Sequence, residues 1–468
     1  MRPVIHEVNT WPWLHEIAER TGRAVTLSDV PSEAWDAVCR PGIDAVWLMG
    51  VWERSPASRA VALADAGNMA SFRAALPDLD IDTDVVGSAY SVRRFVVDDH
   101  LGGPEGLAAA RAELRDRGVR LLLDFVPNHV APDHPWTEEH PEYFVSGTDG
   151  ADYAAGRDPN FPPWDDTVQL NAFSMPLRRA AAATVAEIAE QCDGVRCDMA
   201  MLVLNRVFAQ TWGDRVGWAP PSEYWTDVIT SVRATHPGFV FMAEAYWELE
   251  SELQALGFDF CYDKRLYDRL QWGDARSISE HLSADVGYQA RLVRFIENHD
   301  EPRAVTVFTA ERERAAAVMV GTLPGATLWH EGQFDGRRVR VPVFLTRRPH
   351  EEPDPSWRAF YEALVAGDVR VGEWEQRGTT GWPDNASAEH IVAWTWTDGP
   401  HRALVVVNWS DAPAQARIPL AWDGLAGRRW VFTDVLKGTV FERDGDELAR
   451  DGLYVDRPAW GFHVLRVN

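Results

Sequence analysis

Lysine is almost absent from this chain. Of 46 basic residues only Lys264 and Lys437 are lysines, and they face 71 acidic ones. The formal net charge of −25 excludes nucleic acid and anionic membrane as partners, because both call for basic patches. Cysteine is scarce too. Cys39, Cys192, Cys197 and Cys261 show no metal-ligand spacing, so reduced thiols in a cytosolic core are expected. No apolar run is long enough to span a bilayer. The opening VIHEVNTWPWL is strand-like, with no basic and apolar leader before it, and a cytoplasmic protein is expected. Internal repeats and low-complexity tracts are also lacking.

What is present is hydrophobic material in quantity. At 468 residues and 46% hydrophobic, the chain has enough for one large domain and one small one. In its first third, strand and helix patterns alternate. Val4–Thr10 reads as a strand, Ser32–Arg40 as a helix, Ile43–Met49 as a buried strand, Leu107–Arg117 as a helix and Val119–Val126 as another apolar strand. Continuous apolar strands with helices between them predict a parallel sheet covered on its outside. Residues 131–171 break the rhythm with Pro, Asp, Gly and aromatics, an insertion long enough to suggest function. The alternation resumes with a helix over Pro176–Cys192 and runs through strands at GVRCD, Phe239–Ala243, Phe258–Tyr262, Leu292–Ile296 and Ala326–Trp329. Its last helix carries Trp357, Phe360, Tyr361 and Leu364 on one face. About eight such units predict an α/β fold of the (β/α)8 barrel type over residues 1–130 and 172–380. From residue 381 the segments become short, β-branched and aromatic (HIVAWTWT, RALVVVNWS, RRWVFTDVL, WGFHVLRVN). They predict an all-β sandwich domain over 381–468.

Four apolar runs finish in acids: VRLLLDFVPNHV with Asp124, GVRCDMAML with Asp198, FVFMAEAYW with Glu244 and LVRFIENHDEPRA with Asp300. All strand C-termini of a barrel meet at one mouth, so acids far apart in sequence converge there. A lone carboxylate of this kind is most often a capped or salt-bridged structural group. Four of them, each with a His, Asn or Arg companion, point to a site. In GVRCD, Arg196 and Asp198 share one face of the strand, and a guanidinium beside a buried carboxylate keeps it ionised.

These blocks resemble, in order, those of the α-amylase superfamily, glycoside hydrolase family thirteen. Asp124, Asn128 and His129 match the first block, Arg196 and Asp198 the second, Glu244 the third, and Asn298, His299 and Asp300 the fourth. GSAYSVRRFVVDDHLGG resembles the segment after the second strand, TVQLNAFS the end of the B-domain insertion after strand 3, and LPGATLWHEGQ the eighth-strand segment. The resemblance covers roughly residues 4–367. It implies a retaining enzyme hydrolysing α-glucosidic bonds of maltooligosaccharides or related α-glucosides through a covalent glycosyl-enzyme intermediate. Asp198 would be the nucleophile, Glu244 the acid/base and Asp300 the transition-state stabiliser. Tyr90, His129, Arg196, His299 and Arg303 would be substrate-binding. A carboxyl separation of about 5–6 Å between Asp198 and Glu244 is expected, the retaining range. No cofactor is required by such chemistry. Asn128, with Asp165 or Asp166, is either part of a structural calcium site or a structural hydrogen-bonder.

The chain also departs from the family. Where α-amylases carry a Lys–His pair for the leaving-group side, it has Met201 and Leu202, and where exo-acting relatives have an Asp before the −1 tyrosine it has Gly87. Transglycosylation, including transfer to phosphate, is the alternative. Arg93, Arg94, Arg303, Arg337 and Arg338 are the available phosphate-binding arginines. A non-catalytic binding protein is the third reading, disfavoured by the intact set of three acids. Several other residues carry structural expectations. His134 and His140 are expected to be solvated loop histidines. Asp82, Asp84, Asp98 and Asp99 are expected to form a mostly solvated acidic face, with Asp98 supporting the Tyr90 loop. Trp11 and Trp13 are expected either to flank the mouth or to pack at the end of the first strand.

Overall fold

A computed structural model describes residues 2–148 and 150–468. Eight parallel strands close a barrel: β1 (Val4–Asn9), β2 (Ala45–Met49), β3 (Arg120–Phe125), β4 (Gly194–Cys197), β5 (Val240–Ala243), β6 (Phe260–Tyr262), β7 (Leu292–Arg294) and β8 (Ala326–His330). Each strand lies beside its sequence neighbours, and β8 lies beside β1. The eight expected strands are all there, seven of them trimmed by a residue or two at their ends and β8 one residue longer than expected. The apolar runs are longer than the strands because the connecting loops are buried too: Val119 and Val126, which flank β3, are both buried.

By its contacts the chain divides into two compact units. One comprises Ile5–Tyr262 with Val339–His350, and the other comprises the segment up to Val4, Asp263–Arg338 and Glu351–Asn468. In the first unit β4 sits between β3 and β5, with Gly194 opposite Leu122 and Val240. A side chain at Gly194 would meet the Val240 carbonyl oxygen at 2.6 Å, so only glycine allows these strands their spacing. The insertion is tied down by a short antiparallel pair, His129–Val130 with Val168–Gln169. It has a small core of its own, built from Val130, Tyr143, Phe144, Leu170 and Leu177. Residues 339–350 lack a periodic pattern, yet they dock on the helices at 56–64 and 66–75. Val341 and Leu345 bury themselves among Ala62, Phe72, Leu76 and Val85, and Arg347 pairs with Asp84 at 2.7 Å.

The acidic cluster is therefore less solvated than its charge suggests: Asp84 and Asp98 are buried, and only Asp82 and Asp99 face water. Asp98 accepts from the backbone N–H groups of Arg54 and His100. His134 is likewise buried rather than solvated. Its ring accepts from the Trp136 N–H at 3.1 Å, and burial pulls its pKa down to about 4. Trp11 and Trp13 lie on the helix Thr10–Thr21, where Trp13 packs edge-to-face on Trp35.

In the second unit the sandwich begins earlier than residue 381. Its six-stranded antiparallel sheet starts with β9 (Glu373–Arg377) and continues with β10 (Ile391–Asp398), β11 (His401–Asn408), β13 (Arg429–Asp434), β14 (Val440–Asp444) and β16 (Phe462–Val467). The run EWEQR alternates charge with a single buried tryptophan, a pattern too polar to signal a strand without its partner β10. A two-stranded sheet, β12 (Ala414–Ile418) with β15 (Leu453–Arg457), covers one face. Leu404, Val406, Trp430, Phe432, Ala416, Ile418 and Val455 fill the space between them. From the other face the indoles of Trp394 and Trp396 both donate to the Thr322 carbonyl, at 3.2 and 2.8 Å, which caps the helix Ala310–Thr322.

That helix carries a buried acid. Glu313 accepts from the Tyr361 hydroxyl at 2.8 Å, and the same hydroxyl accepts from the Gln333 amide at 3.1 Å. Burial, and secondarily the Glu297 carboxylate, push the Glu313 pKa from 4.5 up to about 8. A raised carboxyl means the native state holds a proton that the unfolded chain has released. The stability it contributes is present in full below about pH 4.5 and is lost as the pH rises to about 8. Glu313→Gln is therefore expected to remove this dependence. Thermal melts at about pH 5 and about pH 9 should show the native Tm falling several degrees more than that of the variant.

Candidate active site

The site of the first unit is built on the ends of β3, β4 and β5. Strand alternation turns Gly194 and Arg196 to one side of β4, and Val195 and Cys197 to the other. Backbone bonds continue past the strand ends: the Asp198 N–H donates to the Phe125 carbonyl at 2.8 Å and the Glu244 N–H to the Cys197 carbonyl at 3.0 Å. Both acids thus leave from backbone that is already fixed.

The Arg196 guanidinium joins them. Its Nη1 donates to Asp198 Oδ1 at 2.7 Å, and its Nη2 lies 2.8 Å from Glu244 Oε2. Trp47, Tyr90 and Tyr262 surround it, their ring centroids 5.5, 5.0 and 5.8 Å from Cζ. Burial works against its charge, but Glu244, the two tyrosines and Asp198 outweigh burial and hold it firmly protonated. The Met199 N–H donates to Glu244 Oε2 at 2.6 Å, and Met199 adopts the left-handed φ of 41° to aim it there. Tyr246, two residues beyond Glu244, donates its hydroxyl to Oε1 at 2.8 Å. Glu244 is thereby held at both oxygens.

Tyr90 stands at the same place, its hydroxyl 3.5 Å from Asp124 Oδ1. Asp124 is an anchor: its Oδ2 accepts from the Gly50 N–H and its carbonyl from the Trp52 indole. His129 is buried with its ring 5.0 Å from that of Trp164, and burial lowers its pKa to about 4, so it is neutral at neutral pH. The residues present do not fit calcium. The Asn128 side-chain oxygen already accepts from Gln169 Nε2 at 2.9 Å, Asp166 accepts from Ser58, and Asp165 faces solvent. Calcium needs six or more converging oxygens. Among the described residues no three His, Cys, Asp or Glu side chains are placed to hold a metal.

In the second unit, Asn298 shapes the fourth block by accepting from the Asp300 and Glu301 N–H groups, both at 2.9 Å. His299 Nε2 lies 3.0 Å from Asp300 Oδ2, and the Asp300 side chain is 46% exposed. Arg303 is 3% exposed, as are Glu244 and His299. Its Nη1 is committed to Glu297 Oε1 at 2.7 Å and to the Glu331 carbonyl at 2.8 Å, and lies 2.9 Å from His330 Nδ1. It braces this block from beneath. Arg93 and Arg94 both pair with Glu53, which removes them from a free basic cluster. Met201 and Leu202 are wholly buried, in a short helical turn (Ala200–Val203) whose first carbonyl accepts from the Trp225 indole.

Trp47, Tyr246 and Tyr262 were not expected at the site. A search for acids alone at strand ends passes over them. Widening it to ring-bearing residues in phase with the acids finds Tyr262, the last residue of β6, and Tyr246, in phase with Glu244.

Comparison with known proteins agrees with this architecture. No family model matches the chain. An α-amylase, MalA, from Haloarcula japonica is 26% identical over 464 residues, covering 92% of this chain and 59% of its own length. This chain thus spans under two thirds of that relative. An α-1,4-glucan:maltose-1-phosphate maltosyltransferase from Rhodospirillum rubrum is 29% identical over 225 residues, 45% of this chain and 29% of that protein. Among solved structures, a maltogenic α-amylase from Thermotoga neapolitana superposes with a TM-score of 0.69 at 16% identity, covering 99% of this chain and 98% of that one. In its closed barrel, in the ordered blocks at its strand ends and in its likeness to MalA, this chain resembles the α-amylase superfamily.

Proposed function

We propose that the chain is a retaining enzyme that hydrolyses α-glucosidic bonds of maltooligosaccharides or related α-glucosides. The observation that carries this is one guanidinium, Arg196, reaching Asp198 at 2.7 Å and Glu244 at 2.8 Å. Two acids bridged so closely favour the ~5–5.5 Å separation of a nucleophile–acid pair over the ~6.5–9.5 Å gap that an inverting enzyme keeps for water. Asp198, ionised beside Arg196, attacks the anomeric carbon while Glu244 gives its proton to the departing glycosidic oxygen. The resulting glycosyl ester is opened by water, whose proton returns to Glu244. Tyr246 and the Met199 N–H keep Glu244 in one rotamer through both steps. Tyr90 offers its ring to the sugar and neutral His129 hydrogen-bonds its hydroxyls.

The maltosyltransferase relatives favour a second reading, transfer of the glycosyl group to another acceptor. The pairing of Arg93 and Arg94 with Glu53 and the burial of Arg303 argue against phosphate as that acceptor. Thiols at all four cysteines support a cytoplasmic setting, where glycogen fragments and maltooligosaccharides are the candidate substrates. Among the described residues, no helix is long and apolar enough to cross a membrane.

Five measurements test the proposal. Asp198→Asn should lose roughly 10⁴-fold or more in kcat with its Tm nearly unchanged, and retained turnover would remove Asp198 as nucleophile. Proton NMR of fresh maltotriose digests should show the α-anomer first. Tyr246→Phe should lower kcat by roughly tenfold to a hundredfold, since a hydrogen bond to an ionisable carboxyl is typically worth ~1.5–3 kcal/mol. Incubation with EDTA should leave both Tm and activity where they were, and a loss restored by calcium would overturn the reading of Asn128. Adding inorganic phosphate should yield no sugar 1-phosphate.

A further inference from the structure

Strand alternation in the β-domain leads away from the acids to a second place. Between its six-stranded sheet and the pair of β12 with β15, the inward rows are apolar for most of their length. Phe441 on β14, Leu453 and Val455 on β15, and Leu465 on β16 share this interior. At the same period of two, each row then reaches a nitrogen-bearing side chain: Arg443, Arg457 and His463. All of these residues line one cavity of about 160 Å³.

A guanidinium turned toward a sandwich interior loses hydration and ordinarily finds a carboxylate. Among the described residues, neither Arg443 nor Arg457 forms an ion pair. Arg443 gives Nη1 to the Glu442 carbonyl at 2.8 Å, and Arg457 Nε is buried with no hydrogen-bond partner. The acids nearby are engaged elsewhere. Asp434 Oδ1 accepts from the Leu436 and Lys437 N–H groups, both at 3.1 Å, and its Oδ2 lies 2.6 Å from His463 Nδ1. Asp456 is exposed and accepts from the Gln415 amide at 3.1 Å. Burial lowers the pKa of Arg457 and of Lys437. It lowers that of His463 too, against the pull of Asp434, and Arg457 and Lys437 add to the effect. The cavity lining sets two arginines against the single carboxylate of Asp456, so it is positive in a chain whose net charge is −25.

We propose that this cavity is a binding site for a small carboxylate anion with an apolar body. The planar forks of Arg443 and Arg457 match the two oxygens of a carboxylate, and the apolar rows take the body. The volume is below the ~300–1,000 Å³ of sites for drug-sized ligands, which confines the occupant to about the bulk of benzoate. Inorganic phosphate would leave the apolar rows uncovered.

Titration calorimetry of the full chain at low ionic strength tests this, with benzoate and hexanoate as probes and benzyl alcohol and inorganic phosphate for comparison. A carboxylate probe should bind at one site, and Arg457→Gln and Arg443→Gln should each weaken it roughly tenfold or more. Arg457→Lys should recover only part of the loss, since an ammonium lacks the fork. The two arginines stand on different strands, so if one variant fails to fold, as its Tm would report, the other still carries the test. Absence of binding by both carboxylates to the native chain overturns the site, as does binding that the substitutions leave unchanged. Equal affinity for benzyl alcohol would remove charge from the recognition, and equal affinity for phosphate would remove the apolar body. Either result refutes the assignment to a carboxylate.

Discussion

A buried guanidinium must be neutralised where it stands, and this end of the barrel depends on how Arg196 meets that need. Two carboxylates from adjacent strands supply the charge, and three aromatic rings supply the faces around it. The arrangement is mutually binding. Deleting either acid leaves an uncompensated buried cation, and deleting the arginine leaves two carboxylates facing each other. Gly194, two residues before Arg196 on the same face, admits the neighbouring strands closely enough for one side chain to reach both acids.

The cost of this construction is concentrated rather than spread. Left-handed backbone at Met199, Trp247 and Glu248 brackets the two acids. The elements that carry no chemistry are locally regular by comparison. The sandwich sheet pairs strand by strand in plain antiparallel register, and the insertion closes over its own small core. Such a division is expected where function needs an exact side-chain placement that no relaxed loop supplies.

The acids stand out because each ends an apolar run, and the roles proposed for them rest on the order of the blocks. Tyr246 and Tyr262 were passed over because a tyrosine at a strand end looks like ordinary packing until its hydroxyl is seen on a carboxylate or its ring beside a cation. The ion pair of Arg303 is hidden in sequence as well. An arginine three residues after Asp300 carries no mark in sequence that its charge is taken up by Glu297, which lies before the block. His134 and Asp84, polar residues in polar stretches, were buried by partners that local pattern does not reveal. For Asp84 that partner, Arg347, lies hundreds of residues away.

By itself the sequence determined the strand–helix alternation, the eight-stranded barrel with an appended β-domain, and which acids stand at strand ends. Those properties are local: hydrophobic period and residue type at a strand end are written in consecutive residues. Only the tertiary structure decided which groups hold the acids, which arginines are already paired, and that Met201 and Leu202 face the core rather than the site. Burial and ion pairing depend on neighbours brought together by folding. For the same reason a strained turn at Trp247, three residues after Glu244, becomes visible only when φ is known.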